Sequence, residues 1–137
     1  MRRWPLPPLL DEWPWAVRIV LVGILPMGFG FLCGALLGSS GALFLGLQVL
    51  AALGGYFAGF EHSRPLHARM RGVLGGLLFG GGILIGHHAV GGSDQGLIPD
   101  PELIQLVITA TLGALLGTLG AHTRRRIESV GDAGGST

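Results

Sequence analysis

The sequence predicts an all-α integral membrane protein: a four-helix transmembrane bundle, arranged as two tandem parallel helical hairpins, with both termini in the cytoplasm. Three observations predict it. Of 137 residues, 49% are apolar and only 12% are charged, whereas a soluble domain carries about 25% charged residues. The apolar residues gather into four runs, each long enough to cross a bilayer as a helix. All nine basic residues are arginines, and they sort to one side of those runs. Arg2 and Arg3 precede the first run, Arg64, Arg69 and Arg71 lie between the second and third, and Arg124, Arg125 and Arg126 follow the fourth. The other two connections hold no arginine, and retained arginines near span ends mark the cytoplasmic face.

Residues 1–15, MRRWPLPPLLDEWPW, hold four prolines that prevent a continuous helix, together with all three tryptophans, Trp4, Trp13 and Trp15. Tryptophan favours the headgroup layer, so this segment is expected to lie on the cytoplasmic interface. The first span is expected at 16–37. It is read as retained rather than cleaved, because Asp11 and Glu12 stand where a signal peptide is basic. Pro26 near its middle predicts a kink, with a neighbouring helix satisfying the freed carbonyl. The turn Gly38-Ser39-Ser40-Gly41 allows only a tight hairpin into a second span at 42–60. A basic connection, 61–70, leads to the third span, 71–90. The longer connection GGSDQGLIPDPE follows. Asp100, Pro101 and Glu102 predict the start of the fourth span, 103–121, as cap, first position and first-turn acid. The tail, 123–137, reads as cytoplasmic and disordered. Residues 16–122 therefore form one transmembrane domain.

Two segments look duplicated. Arg18–Gly28 aligns with Arg71–Gly81, and the stretch from Leu47 to Gly54 aligns with that from Leu106 to Gly113. A parallel repeat of two hairpins about an axis along the membrane normal follows. It would make Arg18 and Arg71 equivalent positions.

Every span carries small residues four apart: Gly30, Gly34 and Gly38; Gly55 and Gly59; Gly72, Gly76 and Gly80; Gly113 and Gly117. Apolar contact does not drive helices together in lipid, so close backbone packing along such ridges is the expected device. Span three has more glycines than one ridge needs. Such a helix is central in its bundle, pairs with another subunit, or lines a narrow path. A glycine-zippered homo-oligomer is the expectation.

Ionisable groups at membrane depth are candidates for function. Arg18, Glu61, Arg64 and Arg71 are expected to form a charge network at the cytoplasmic end. The stem of Arg18 also allows it to reach back to the surface. Gln48 lies deep in span two. An interhelical hydrogen bond to Thr109 or Thr111, or a place in a pore, accounts for it equally. His87 and His88 with Asp94 are a weak candidate for a divalent metal site. Neighbouring residues on a helix point about 100° apart, so the two histidines cannot share one intramembrane ligand while helical. No metal and no cofactor is expected. Cys33 is the single cysteine, which excludes an intramolecular disulfide and a Cys-rich metal site. It reads as a small packing residue.

The charge asymmetry is topological, and nucleic acid is not an expected partner; membrane lipids are, and the basic loop suits anionic headgroups. No nucleophile stands with a base in any span, and no phosphate loop or HExxH motif is present, so no enzyme is expected. Size and span number match small multidrug exporters and fluoride channels. Neither signature is here: the first span has no glutamate at membrane depth, and there is no asparagine track. The function expected is that of a homo-oligomeric channel or transporter for a small solute or ion, in a bacterial inner membrane. The alternative is an accessory, assembly or scaffold subunit packed against a partner membrane protein.

Overall fold

The structure, a computed structural model, describes residues 8–62, 64–91 and 97–133, except for the side chains of 131–133. Arg2, Arg3, Trp4 and Asp94 lie outside the described residues. The described residues are helical, with no strand among them. Four helices are long and apolar enough to cross a membrane: α1 (Trp15–Leu37), α2 (Gly41–Gly59), α3 (Pro65–Val90) and α4 (Leu103–Ala133).

α1 is interrupted where Pro26 requires it. Residues Val20–Ile24 form a turn of π-helix, and α-helix resumes at Leu25. Proline lacks an N–H and crowds the carbonyl one turn back, and a widened turn is one way a helix relieves this. α1 and α2 meet in the expected tight hairpin. The Ser39 hydroxyl donates to the Leu36 carbonyl at 2.7 Å, and the Ser40 side chain caps α2 by accepting from Leu43 N–H. Gly38 ends α1 in this hairpin as its C-cap.

Two boundaries differ from those expected. The third span begins at Pro65 and not at Arg71. Pro65 presets the helical φ of a first turn, so residues 65–70 are helix instead of connection. Arg71 is thereby carried almost two turns inside α3. The fourth helix runs to Ala133, well past residue 121 and through the segment read as a disordered tail. An Arg124–Glu128 pair at 2.8 Å, one helical turn apart, supports that extension. At the other end α4 starts at Leu103, just after the Asp100-Pro101-Glu102 start signal.

α3 is the centre of the bundle. Its glycines form two ridges on different faces. Toward α4, a Cβ added at Gly72 would fall on the Gly113 carbonyl, and one at Gly76 on the Thr109 carbonyl. Toward α1, a Cβ at Gly82 would meet the Met27 carbonyl, and one at Gly86 the Phe31 carbonyl. Gly30 and Gly34 of α1 return the contact against Phe79 and Ile83. Both neighbours approach α3 backbone to backbone, which only glycine permits at such spacing.

α2 packs differently. It starts against α1, where Phe44 is buried with Cys33, Leu37, Phe79, Ile83 and Ile98. It ends against α4, where Gly59 meets Gly117 and Gly120 and the Tyr56 hydroxyl donates to Thr123 Oγ1 at 3.0 Å. α2 therefore lies diagonally across the face of the α1–α3–α4 layer. The two hairpins pack unequally, α3 and α4 along their length and α1 and α2 mainly near their turn. Arg18 and Arg71 also differ in setting. Arg18 turns back to the N-terminal segment, whereas Arg71 is turned inward.

Candidate functional site

The diagonal course of α2 leaves a groove of about 840 Å³ between it and the other three helices. All four spans line it. Leu25 and Phe29 come from α1, Gln48 and Gly55 from α2, Arg71 and Phe79 from α3, Thr109 and Leu116 from α4. The walls are apolar except at Gln48, Thr109 and the arginine end. One side is open. Among its lining residues Leu50, Phe57 and Leu112 are 60%, 63% and 50% exposed.

The arginine end of the groove holds Glu61 and Arg71. Arg71 Nη2 donates to the Leu21 carbonyl at 2.7 Å. Arg71 Nε and Glu61 Oε2 are both buried and have no hydrogen-bond partner among the described residues. Buried polar atoms are almost always partnered, and those that are not call for an explanation. Glu61 lies just beyond α2, and burial pushes its carboxyl above the usual carboxylate range, with a smaller opposing pull from the Arg71 guanidinium. Burial likewise holds the neighbouring His62 imidazole below its ordinary value.

The N-terminal segment closes over this end. Leu10 is buried, and its N–H donates to the Glu61 carbonyl at 2.9 Å. Arg18 Nε donates to the Trp13 carbonyl at 3.0 Å, and its Nη1 stands 3.7 Å from Asp11 Oδ1. The four residues expected in one charge network thus separate. Glu61 and Arg71 share the groove, Arg18 ties down the N-terminal segment, and Arg64 is exposed at the start of α3.

Gln48 and Thr109 both line the groove, without a hydrogen bond between them among the described residues. Thr109 donates to the Gln105 carbonyl of its own helix at 2.8 Å, and Thr111 donates to Val107 and is exposed. A Cβ added at Gly55 would meet the Leu116 side chain at 3.8 Å and no backbone atom among the described residues, so Gly55 lines the groove rather than joining two backbones.

At the opposite end His88 Nε2 lies 2.9 Å from Glu102 Oε2, and both side chains are largely exposed. The His87 and His88 rings are 5.6 Å apart and inclined at 52°. Asp94, the third member of that candidate, is not described. Among the described residues no three His, Cys, Asp or Glu side chains come together to hold a metal ion.

Arg124 packs against the end of α2, a placement that its position in an arginine run did not signal. The residue is 7% exposed, its Nε pairs with Glu128, and its Nη1 donates to the Phe60 carbonyl. The Arg-x-x-x-Glu spacing was the available signal, but it speaks only once residues 124–128 are taken as helix.

No family model, curated protein or solved structure matches this chain. The fold stands on its own evidence: four helices of the length and composition of a multi-pass membrane protein. Its distinguishing site is the laterally open groove that ends at Glu61 and Arg71.

Proposed function

We propose that this chain is a small transport protein of the bacterial inner membrane, acting as a homo-oligomer, with the groove as its substrate path and its arginine end in the cytoplasm. One observation carries the reading. A groove lined by all four spans ends at a half-buried guanidinium and a half-buried carboxyl whose buried Nε and Oε2 atoms lack hydrogen-bond partners among the described residues. Ligand sites are commonly mostly apolar concavities with a few convergent polar groups, and ionisable groups at membrane depth mark substrate paths. An open side suits a substrate that enters from the bilayer better than it suits a water-filled pore for ions. The sidedness of the arginines supports the orientation. Outward-facing Gly28 and Gly46, with no atom within 4 Å of an added Cβ, leave room for another subunit's helix.

The test is energised proteoliposomes with a panel of cationic, neutral and anionic amphiphilic fluorophores. Protein-dependent transfer of at least one of them, abolished by Gln48→Leu with the oligomer mass unchanged, supports the reading. No transfer across the panel, from protein stable only with a co-purifying membrane protein, overturns it in favour of an accessory subunit.

A further inference from the structure

We propose that the groove takes a single-chain amphiphile with one anionic head group, a long-chain carboxylate, which enters sideways from the bilayer and sets its head at Arg71 and Glu61. The proposal deepens the transport reading and rests on the groove being a substrate site.

Shape comes first. The volume, about 840 Å³, falls within the roughly 300–1,000 Å³ of sites that hold one small ligand. Along α2 the groove runs from Gln48 to Glu61, about 20 Å at 1.5 Å per residue. It is a long trough with apolar walls and one polar end, the outline of a chain with a head. Phe29, Leu50, Phe57 and Leu116 face the chain.

Head-group chemistry comes second. Arg71 Nη2 is occupied by the Leu21 carbonyl, which fixes the guanidinium and leaves Nε as a buried donor without a partner. Glu61 Oε2 is its buried counterpart. A carboxylate answers both. One of its oxygens accepts from Arg71 Nε, and the other shares a single proton with the Glu61 carboxyl. Two carboxyls with one proton carry one negative charge, and the guanidinium cancels it. A cationic head would instead leave two positive charges facing one carboxylate in a site of low dielectric, where an uncompensated charge is costly. The burial that favours protonated Glu61 points the same way, because it leaves the guanidinium in need of an anion.

The experiment is native mass spectrometry of the full chain, released from delipidating detergent, with added palmitate or hexadecyltrimethylammonium. The expected result is one palmitate per chain and no saturable binding of the cation. Arg71→Gln should weaken palmitate binding at least about tenfold, the scale of removing one partner from a buried charge contact. Ala52→Phe, which plugs the trough, should do the same. Arg69→Gln, exposed and outside the groove, should leave binding unchanged. If Arg71→Gln fails to fold, the palmitate–cation comparison on the unmodified protein and the Ala52→Phe variant decide the question. Equal binding of both probes, a tightly retained phospholipid in place of palmitate, or a groove closed by a second copy of the chain would overturn the proposal. Palmitate binding without fluorophore transfer in proteoliposomes would sink the transport reading alone. Transfer without a palmitate preference would sink this proposal alone.

Discussion

Arg71 Nη2 donates to the Leu21 carbonyl at 2.7 Å, and so joins the third span to the one turn of the first span that cannot complete itself. In the π-turn of α1, Leu25 N–H bonds the Val20 carbonyl. The next N–H along would serve Leu21, but residue 26 is proline and has none. The arginine takes the place of that missing donor. Its hold on Leu21 also fixes the guanidinium at the end of the groove, so a backbone repair and a candidate binding group are the same side chain.

This arrangement predicts a coupling between two residues far apart in sequence. Arg71→Leu takes this donor from the Leu21 carbonyl, and should cost about 1–3 kcal/mol. In a Pro26→Ala background the alanine N–H serves that turn of α1, and the same substitution should cost less. A double-mutant cycle from unfolding in mixed micelles should give a coupling of at least about 0.5 kcal/mol. Equal costs in both backgrounds would show that the bond does not answer the proline.

The glycines of the spans divide into contacting and open positions, and substitutions should divide with them. Gly76→Leu places a side chain against the Thr109 backbone, and Gly34→Leu against the Ile83 backbone. Neither backbone can yield as a side chain does, so each change should cost about 3 kcal/mol or more. Gly46 has no atom within 4 Å of an added Cβ. Gly46→Ala should be neutral in the isolated chain or stabilising by up to about 1 kcal/mol through helix propensity. Thermal unfolding of the three variants side by side checks the division.

Glu61 makes stability depend on pH in a defined direction. Its folded pKa is raised above the ordinary value of 4.5 by burial. The folded state therefore holds that proton more tightly than the unfolded state does. The contribution is fully present below the unfolded pKa and is lost as pH rises through the folded one. Glu61→Gln removes the titration, so the variant should gain on the unmodified protein as pH rises from about 4.5 through the raised folded pKa. His62, whose pKa is lowered by burial, acts in the opposite sense and loses stability as pH falls. It is present in both proteins, so it drops out of their difference. A difference that stays flat across that range would contradict the burial of a titrating Glu61.

Arg124 should behave as part of the bundle and not as part of a tail. It is buried between the end of α2 and Glu128. Arg124→Ala should cost about 1–3 kcal/mol, while Arg126→Ala, at an exposed position, should fall within about 0.5 kcal/mol of the parent. Chemical unfolding of the two variants measures the contrast.

Four helices long and apolar enough to cross a membrane were legible in the sequence, because length and apolarity alone define them. The tight turn at Gly38–Gly41 was legible because four small residues can do little else. The glycine excess of α3 left open a central helix, a pairing with another subunit or a lined path; the backbones of α1 and α4 approach it closely on two faces. Pro65 was misread because a proline both ends one helix and starts the next, and only its N-terminal use is realised here. Residues 124–130 were misread because charge suggested a tail, while the Arg124–Glu128 spacing carried the helix onward. The groove had no sequence signature. It exists because α2 touches α1 at one end and α4 at the other, a tilt that no local pattern encodes. The Arg71–Leu21 bond was half legible: Pro26 called for a donor from a neighbour, but nothing local named the arginine 50 residues away.

The most direct test of the groove as a substrate path is a site-directed block in a Cys33→Ala background. Ala52→Cys places a thiol in the groove wall, and Thr111→Cys places one on an exposed face outside it. Each is alkylated with a bulky maleimide in detergent and reconstituted, and fluorophore transfer is compared with unlabelled protein. Label at residue 52 should stop transfer, and label at residue 111 should leave it intact. Undiminished transfer with residue 52 fully labelled would contradict that role of the groove.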